Sequence, residues 1–337
     1  LALEKAGGVT LDGGVLDAKW SEQAMHNGAA VLACATSTGR ICLYSLDHAD
    51  PEAGPDADDI DPVLAKKPAG LQHLTSSAGK DCLLLSLEWS GGWSGGGIGQ
   101  TKTVVSQSDG QIAIWRPHPA GGTPVEEMGP WPGHWLRGGV STEAWISFFR
   151  RGGDDDTSLV VSGGEDEVMK GWDLRAGGSN GVLPAFVCKC HDAGVTAGQW
   201  HPWREYIFAS GSYDENVRVW DVRAVRRPLS TISTGGGVWR LKWHPHPDRG
   251  NFLLAACMHA GVRVLNVTSS ASSPAMRGST GEEGVGIVAK YSRHASMAYG
   301  ADWCRLKPSL DDRAPVITSC SFYDRLLCLW RTPPLWP

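Results

Sequence analysis

One segment of this chain occurs six times in recognisable form, and this repetition constrains the fold more than any other feature. In the clearest copy, residues 211–223, small residues are followed by an aspartate, a turn, an alternating strand and the pair Trp-Asp. The repeats end at one shared position, occupied by Tyr44, Trp115, Trp172, Trp220, Leu265 and Trp330. A first strand ending in an aromatic residue precedes each repeat, at Trp20, Trp89, Phe148, Trp200, Trp243 and Trp303. Six similar antiparallel units are therefore expected.

Repeats of about 40–45 residues that end in Trp-Asp are typical of WD40 blades. We therefore predict an all-β fold, a single WD40 β-propeller domain over residues 1–337 with six blades. Seven blades remain possible, because residues 47–82 or 121–140 have room for another. Few residues follow the last repeat, so residues 1–11 are expected to close the propeller as the outer strand beside residues 326–330. Low-complexity insertions are predicted at residues 47–68, 90–99 and 268–284.

Charge and composition exclude several classes of function. The formal net charge is −5, so no broad basic field is available to bind nucleic acid. No apolar run is long enough to span a membrane, and the N-terminal residues lack a signal-peptide pattern. Buried thiols in a reducing compartment are indicated by cysteines in predicted strands, namely Cys34, Cys42, Cys257, Cys320 and Cys328. We expect a cytoplasmic monomer that binds neither nucleic acid nor a membrane directly.

Two short motifs suggest chemistry that their context does not support. Cys188, Cys190 and His191 are close in sequence, but their spacing matches no standard zinc site and no second ligand pair follows. Residues 92–96 match Gly-x-Ser-x-Gly, yet Ser94 lies in a glycine-rich insertion without the helix that a nucleophile elbow requires. Neither a metal nor a cofactor is expected.

An aspartate stands six residues before the final aromatic residue in four repeats, at Asp109, Asp166, Asp214 and Asp324. In WD40 folds this aspartate bonds a histidine from the preceding connection and a serine or threonine, and the network reaches the repeat-end tryptophan. Blade four offers His191 and Asp214, with either Ser210 or Ser212 as the hydroxyl. These networks are expected to be structural, because satisfied buried polar groups rigidify a blade.

Blade five departs from this pattern. His259 occupies the aspartate position and Leu265 the tryptophan position, so the structural network cannot form. A histidine released from a scaffolding role on a turn is a candidate general base or acid. The alternative is a degenerate blade whose histidine is only solvated.

The first strand of blade five begins with three glycines, followed by Trp239 and Arg240. Comparable positions near the starts of the first strands of blades three and six hold Glu143, Trp145 and Tyr299. The turn residue just before the aspartate is a further candidate in two blades, at Tyr213 and Tyr323. An aromatic pocket with one arginine suits a ligand that carries a quaternary ammonium and a carboxyl or ester group. Packing between blades is the alternative role of these rings.

Four segments together are more specific than the generic repeat: residues 162–166, 235–245, 254–261, and 299–303 with 320–324. In this order they resemble the WD-repeat diphthine methyl ester hydrolase family, also called diphthine methyltransferase. The resemblance covers residues 15–330. It implies an esterase that removes a methyl group from an intermediate of diphthamide biosynthesis, carried on the modified histidine of translation elongation factor 2. That intermediate carries a trimethylammonium group beside the ester.

The resemblance assigns no catalytic residues, so the site rests on the comparison of blades. We predict His259 and Arg240 as catalytic, with His259 assisting attack by water and Arg240 holding a carboxyl group or the oxyanion. Substrate-binding residues are predicted to be Trp239, Trp145, Tyr299, Tyr323 and Glu143. A non-catalytic interaction scaffold is the competing class, since the fold alone does not separate the two.

Overall fold

The computed structural model describes residues 9–26, 29–48, 68–90, 101–118, 122–151, 158–176, 182–267, 285–304 and 315–335. The chain divides into two compact units, Leu1–Pro132 and Gly133–Pro337. Every sheet in both units is antiparallel, and neighbouring strands in each sheet are consecutive in the chain. Each sheet is therefore built locally from one repeat.

The first unit contains two four-stranded sheets. Blade one consists of β1 (Val15–His26), β2 (Ala29–Thr36), β3 (Ile41–His48) and β4 (Pro68–Ser76). Blade two consists of β5 (Leu84–Trp89), β6 (Thr103–Gln107), β7 (Gln111–Arg116) and β8 (Val125–Pro132).

The second unit contains three four-stranded sheets and one three-stranded sheet. Blade three consists of β9 (Ala144–Phe149), β10 (Leu159–Gly164), β11 (Met169–Asp173) and β12 (Pro184–Cys188). Blade four consists of β13 (Val195–Trp200), β14 (Ile207–Ser212), β15 (Asn216–Asp221) and β16 (Ser230–Ser233). Blade five consists of β17 (Arg240–Trp243), β18 (Phe252–Ala256), β19 (Val262–Val267) and β20 (Val285–Tyr291). Blade six consists of β21 (Ala298–Trp303), β22 (Val316–Ser321) and β23 (Leu326–Arg331).

These six sheets are the six predicted blades, so the all-β WD40 β-propeller fold class is confirmed. In the described parts of residues 47–82 and 121–140 no seventh blade is found, because β4 and β8 there are the fourth strands of blades one and two. The predicted insertions fall mainly on residues 49–67, 91–100 and 268–284, outside the described part of the chain, and Ser94 lies there too. Residues 1–8 of the expected closing strand also lie outside it, and closure stays a prediction.

Tryptophans at the ends of the first strands tie blades two, five and six to the blades before them. The indole N–H of Trp303 donates to the carbonyl of Lys242 at 2.8 Å, and that of Trp243 donates to Gln199 at 3.2 Å. Trp89 makes the same bond to Lys19 at 2.9 Å. Each bond satisfies a buried indole that would otherwise lack a partner.

Two details of the strands and thiols were predicted wrongly. The strand β1 continues to His26 instead of ending at Trp20, and Trp20 is 46% exposed. All nine cysteines are free thiols, but Cys320 is exposed and Cys328 half-buried.

The predicted polar network forms in blades three, four and six. In blade four the indole N–H of Trp220 donates to Ser210 Oγ at 2.8 Å, and the hydroxyl lies 2.9 Å from His191 Nε2. His191 Nδ1 lies 3.3 Å from Asp214. Ser210 is thus the network hydroxyl, while Ser212 bonds to Asp214 N–H and to a nearby carbonyl. Equivalent sets are His134, Asp166, Ser162 and Trp172, and His294, Asp324, Ser319 and Trp330.

Blade two does not form the network, contrary to the prediction for Asp109. Its carboxylate accepts hydrogen bonds from Gln111 instead, and the Ser106 hydroxyl pairs with Ser86 at 2.7 Å. The indole nitrogen of Trp115 is buried and has no partner among the described residues. The connection before β5 supplies no histidine, so nothing links serine to aspartate.

Replacing the network histidine of blade four is expected to destabilise the protein. His191→Ala removes the bond to Ser210 and leaves a cavity beside Trp220, although Arg218 still pairs with Asp214 at 2.6 Å. We expect the free energy of unfolding to fall by about 2 kcal/mol in urea titrations. The control is His246→Ala, which removes an exposed imidazole; an equal loss in both variants would contradict the structural role of the network.

The stability of the protein is expected to decrease as the pH is lowered, because two histidines are buried in neutral form. Burial lowers the pKa of His201 and of His244 to about 4, compared with about 6.5 in an unfolded chain. Unfolding therefore takes up protons below about pH 6.5, so their contribution is complete above that pH and is lost as the pH falls toward 4. Urea titrations should show a free energy of unfolding about 2 kcal/mol lower per histidine at pH 5 than at pH 8. A constant value over this range would contradict the prediction.

Candidate aromatic ligand site

Five aromatic side chains of the second unit form one continuous series of contacts. The ring of Trp239 has its centroid 5.5 Å from that of Trp145, 5.5 Å from Tyr299 and 5.8 Å from Tyr213. Tyr323 extends the series, 6.2 Å from Tyr299. We call these five residues the aromatic cluster. The contacts are edge-on or tilted, the geometries that aromatic quadrupoles favour.

The cluster faces solvent and is not sealed between blades. Tyr213 is 36% exposed and Tyr323 is 60% exposed, while Trp145, Trp239 and Tyr299 are half-buried. Rings that served only to pack blades together would be buried, as Trp200 and Trp220 are. The cluster therefore offers aromatic edges and faces to a ligand.

The glycine run before β17 brings Trp239 into contact with its neighbours. A Cβ on Gly236 would lie 2.4 Å from the carbonyl oxygen of Cys257, and one on Gly237 would lie 2.9 Å from the sulfur of Met258 and 3.1 Å from the Tyr213 ring. Gly235 has a φ of 79°, which favours glycine. The glycines thus pack the strand entrance against the β18–β19 turn and against Tyr213.

Arg240 lies beside blade six, at the Tyr299 side of the cluster. It is half-buried and pairs with Ala256 in the sheet. Desolvation raises the pKa of the Cys320 thiol, and the positive charge of Arg240 opposes that rise. Gly300 on β21 leaves room for the side chain of Cys320 on β22, since a Cβ on Gly300 would lie 2.5 Å from Cys320 Sγ.

His259 is exposed on the turn between β18 and β19. Met258, just before it, exchanges backbone hydrogen bonds with Ala298 at 3.2 and 3.0 Å, so the turn is joined to the strand that carries Tyr299. No hydrogen bond to the His259 side chain is found among the described residues. As predicted, blade five has no polar network: Leu265 replaces the tryptophan, and Ala255 stands where blade four has Ser210.

The turn residue before the network aspartate contributes to the site in three blades, including one that sequence reasoning missed. Tyr213 and Tyr323 were selected as aromatic, but Glu165 holds the same place in blade three. Its Oε2 accepts the indole N–H of Trp145 at 2.9 Å. Comparing this position across blades without requiring an aromatic residue would have found it.

Glu143 is half-buried and serves partly to shape the turn. The hydroxyl of Thr142 donates to its Oε2 at 3.2 Å, and its backbone carbonyl accepts the N–H of Glu165 at 3.0 Å. The predicted Glu143 and the missed Glu165 therefore lie together at the Trp145 end. Acidic groups at one end and Arg240 at the other make the site electrostatically polar.

Two tyrosines of the cluster, Tyr213 and Tyr299, are held neutral. Burial raises the pKa of Tyr213, and the nearby Tyr299 and Glu165 raise it further. Burial likewise raises the pKa of Tyr299, with an added contribution from the neighbouring Tyr323. Neutral phenols keep their hydrogen-bonding hydroxyls at physiological pH.

The described part of the chain shows neither a metal-binding cluster nor a membrane-spanning helix. No group of three or more histidine, cysteine or carboxylate side chains there is arranged to hold a metal ion. None of the helices described there is long and apolar enough to cross a membrane.

Known proteins are similar in sequence to most of this chain. A family model described as WD domain, G-beta repeat matches residues 183–221. Proteins named diphthine methyltransferase from Mus musculus and Homo sapiens are 34% and 33% identical, covering 88% and 89% of this chain and 54% and 58% of theirs. The chain therefore spans little more than half the length of these two relatives. A diphthine methyltransferase homolog from Dictyostelium discoideum is 32% identical, over 96% of this chain and 77% of its own.

A solved structure supports the fold alone. One chain of a crystal structure of the mitotic checkpoint complex matches with a TM-score of 0.57 at 17% identity, covering 99% of this chain and 100% of that one.

Proposed function

Because the chain belongs to the diphthine methyltransferase family, we propose that it acts in diphthamide biosynthesis as a methylesterase. Its substrate is diphthine methyl ester on translation elongation factor 2, and the products are methanol and the free carboxylate. The observation that carries the proposal is the solvent-facing aromatic cluster, with Arg240 at one side and His259 on an adjoining turn. A translation factor as substrate also favours action in the cytoplasm.

The cluster suits the substrate's charged group. A trimethylammonium has no N–H to donate, so it cannot be bound through hydrogen bonds. Aromatic faces attract it through their quadrupoles, whereas Arg240 carries the same charge and does not bind it. The guanidinium instead suits the ester oxygen, because it offers several donors and a fixed positive charge.

The proposed reaction is attack by water on the ester carbonyl. His259 accepts a proton as the water oxygen bonds to the carbonyl carbon, and Arg240 stabilises the oxyanion. The bond to the methoxy oxygen then breaks, and that oxygen takes the proton from His259 and leaves as methanol. Cys257 is not a competing nucleophile, since it is fully buried and burial raises its pKa to about 12.

The decisive experiment is incubation of the purified protein with elongation factor 2 that carries the methyl ester. Mass spectrometry should show the modified peptide becoming lighter by one methylene unit, with release of methanol. An unchanged peptide mass would favour the alternative, a non-catalytic interaction scaffold.

Trp239→Ala is expected to weaken substrate binding, because Trp239 contacts three of the other four rings of the cluster. The loss should be about 1–2 kcal/mol, the scale of a desolvated cation–π contact, and appear mainly in KM. Tyr206→Ala removes a solvent-exposed aromatic ring outside the cluster and is the control. Equal KM values for Trp239→Ala and wild type would refute the binding role of the cluster.

A further inference from the structure

A carboxylate borders the aromatic cluster at its Trp145 end. Glu165 is exposed, and its Oε2 is held 2.9 Å from the indole nitrogen of Trp145. Gly194 leaves space for it, because a Cβ there would lie 2.9 Å from Oε2 and 3.5 Å from the Tyr213 ring. The carboxylate thus lies between Trp145 and Tyr213, both of which contact Trp239.

The charge of Glu165 is not neutralised by a neighbour in the described part of the chain, where no ion pair to it is found. The aspartates that follow in the same kind of turn differ in this respect. Asp166 lies 3.3 Å from Lys170, and Asp214 lies 2.6 Å from Arg218. Glu165 therefore leaves a negative potential beside three aromatic rings that face solvent.

We infer that Glu165 is a specificity-determining residue which, with Trp145, Tyr213 and Trp239, selects a methylated ammonium ion over its neutral isostere. Aromatic faces bind both ligands through apolar contact, but only the cation gains from the ring quadrupoles and from the carboxylate. Because a quaternary ammonium cannot donate a hydrogen bond, charge alone must provide the discrimination.

Glu165 also orients a ligand within the proposed esterase site, and this part rests on the proposed function. The acidic end of the cluster lies at Trp145, whereas Arg240 begins β17, which contacts β21, the strand that carries Tyr299. A ligand with adjacent ammonium and ester groups is held with its cation toward Glu165 and its carbonyl toward Arg240. The ester is then on the side of the turn that carries His259.

If Glu165 only anchored the Trp145 ring, Glu165→Gln would keep the preference for the cation. Glu165→Gln removes the charge but keeps a side-chain oxygen that accepts the indole N–H. The anchoring role survives this change and the electrostatic role does not. Glu167→Gln is the matched control, since Glu167 is an exposed carboxylate two residues further along the same turn.

The test compares choline with 3,3-dimethyl-1-butanol, its neutral carbon isostere, by NMR titration of the indole N–H signals of Trp145 and Trp239 in the full chain. Wild type and Glu167→Gln should prefer choline. Glu165→Gln should lose about three- to fivefold in affinity for choline with little change for the alcohol. Melting temperatures should be alike in all three proteins.

The inference is overturned if wild type binds both ligands equally, if it binds neither, or if Glu165→Gln keeps the preference for choline. Choline carries no ester, so these results do not depend on hydrolysis. A protein that prefers choline through Glu165 but leaves the esterified elongation factor unchanged would refute only the proposed function. A protein that cleaves the ester without this preference would refute only the inference.

Discussion

His259→Ala is expected to reduce cleavage of the methyl ester by about 10²–10⁴-fold, the usual loss when a general base is removed. The melting temperature should stay close to that of wild type, because His259 is exposed and no hydrogen bond to its side chain is found in the described residues. Rates from methanol release and melting curves from circular dichroism measure the two effects on the same preparation.

The control for this variant is His246→Ala, which removes another exposed histidine from the same blade, in the loop between β17 and β18. It should leave both the rate and the stability unchanged. Normal cleavage by His259→Ala would show that the departure of blade five from the repeat has no catalytic meaning. Asp302 would then be the next candidate base, although it pairs with Lys242 at 3.3 Å.

Arg240→Gln is expected to lower kcat by about 10²–10³-fold, the cost of removing one oxyanion donor. The effect should appear in kcat more than in KM, because the oxyanion exists only after water has attacked. The side chain is half-buried, so its donors are held in a partly desolvated site.

Arg240→Lys separates charge from geometry. A lysine keeps the positive charge but lacks the planar fork, so a partial recovery of kcat relative to Arg240→Gln is expected. If Arg240→Gln raises KM tenfold and leaves kcat unchanged, Arg240 binds the substrate uniformly and does not stabilise the oxyanion.

Much of the site was predictable because the repeats provide an alignment within one chain. Trp145, Trp239 and Tyr299 stand at equivalent positions near the starts of β9, β17 and β21, and equivalent positions recur at equivalent ends of neighbouring blades. The loss of the network in blade five followed in the same way from His259 and Leu265. The network predicted for blade two was wrong because Asp109 alone does not form it, and no histidine lies in the connection before β5.

Glu165 was missed for a different reason. The turn position before the network aspartate was predicted to contribute aromatic rings, and a glutamate there does not fit that pattern. Only the structure shows that the Glu165 carboxylate accepts the indole N–H of Trp145. The exposure of Tyr323 was also not predictable from the repeat. The turn between β22 and β23 spans four residues, compared with three between β14 and β15, and Phe322 and Tyr323 project from it with 76% and 60% of their surfaces exposed.

The sequence by itself determined the all-β class, the number of blades and the set of residues that share each position, because these depend on strand periodicity and on local turn chemistry. Only the tertiary structure decided which of those residues touch. Contact among Trp145, Tyr213 and Trp239 depends on how closely neighbouring blades approach, and glycines such as Gly194 and Gly237 set that approach by having no Cβ. Such distances arise from packing between segments remote in sequence, which no local pattern encodes.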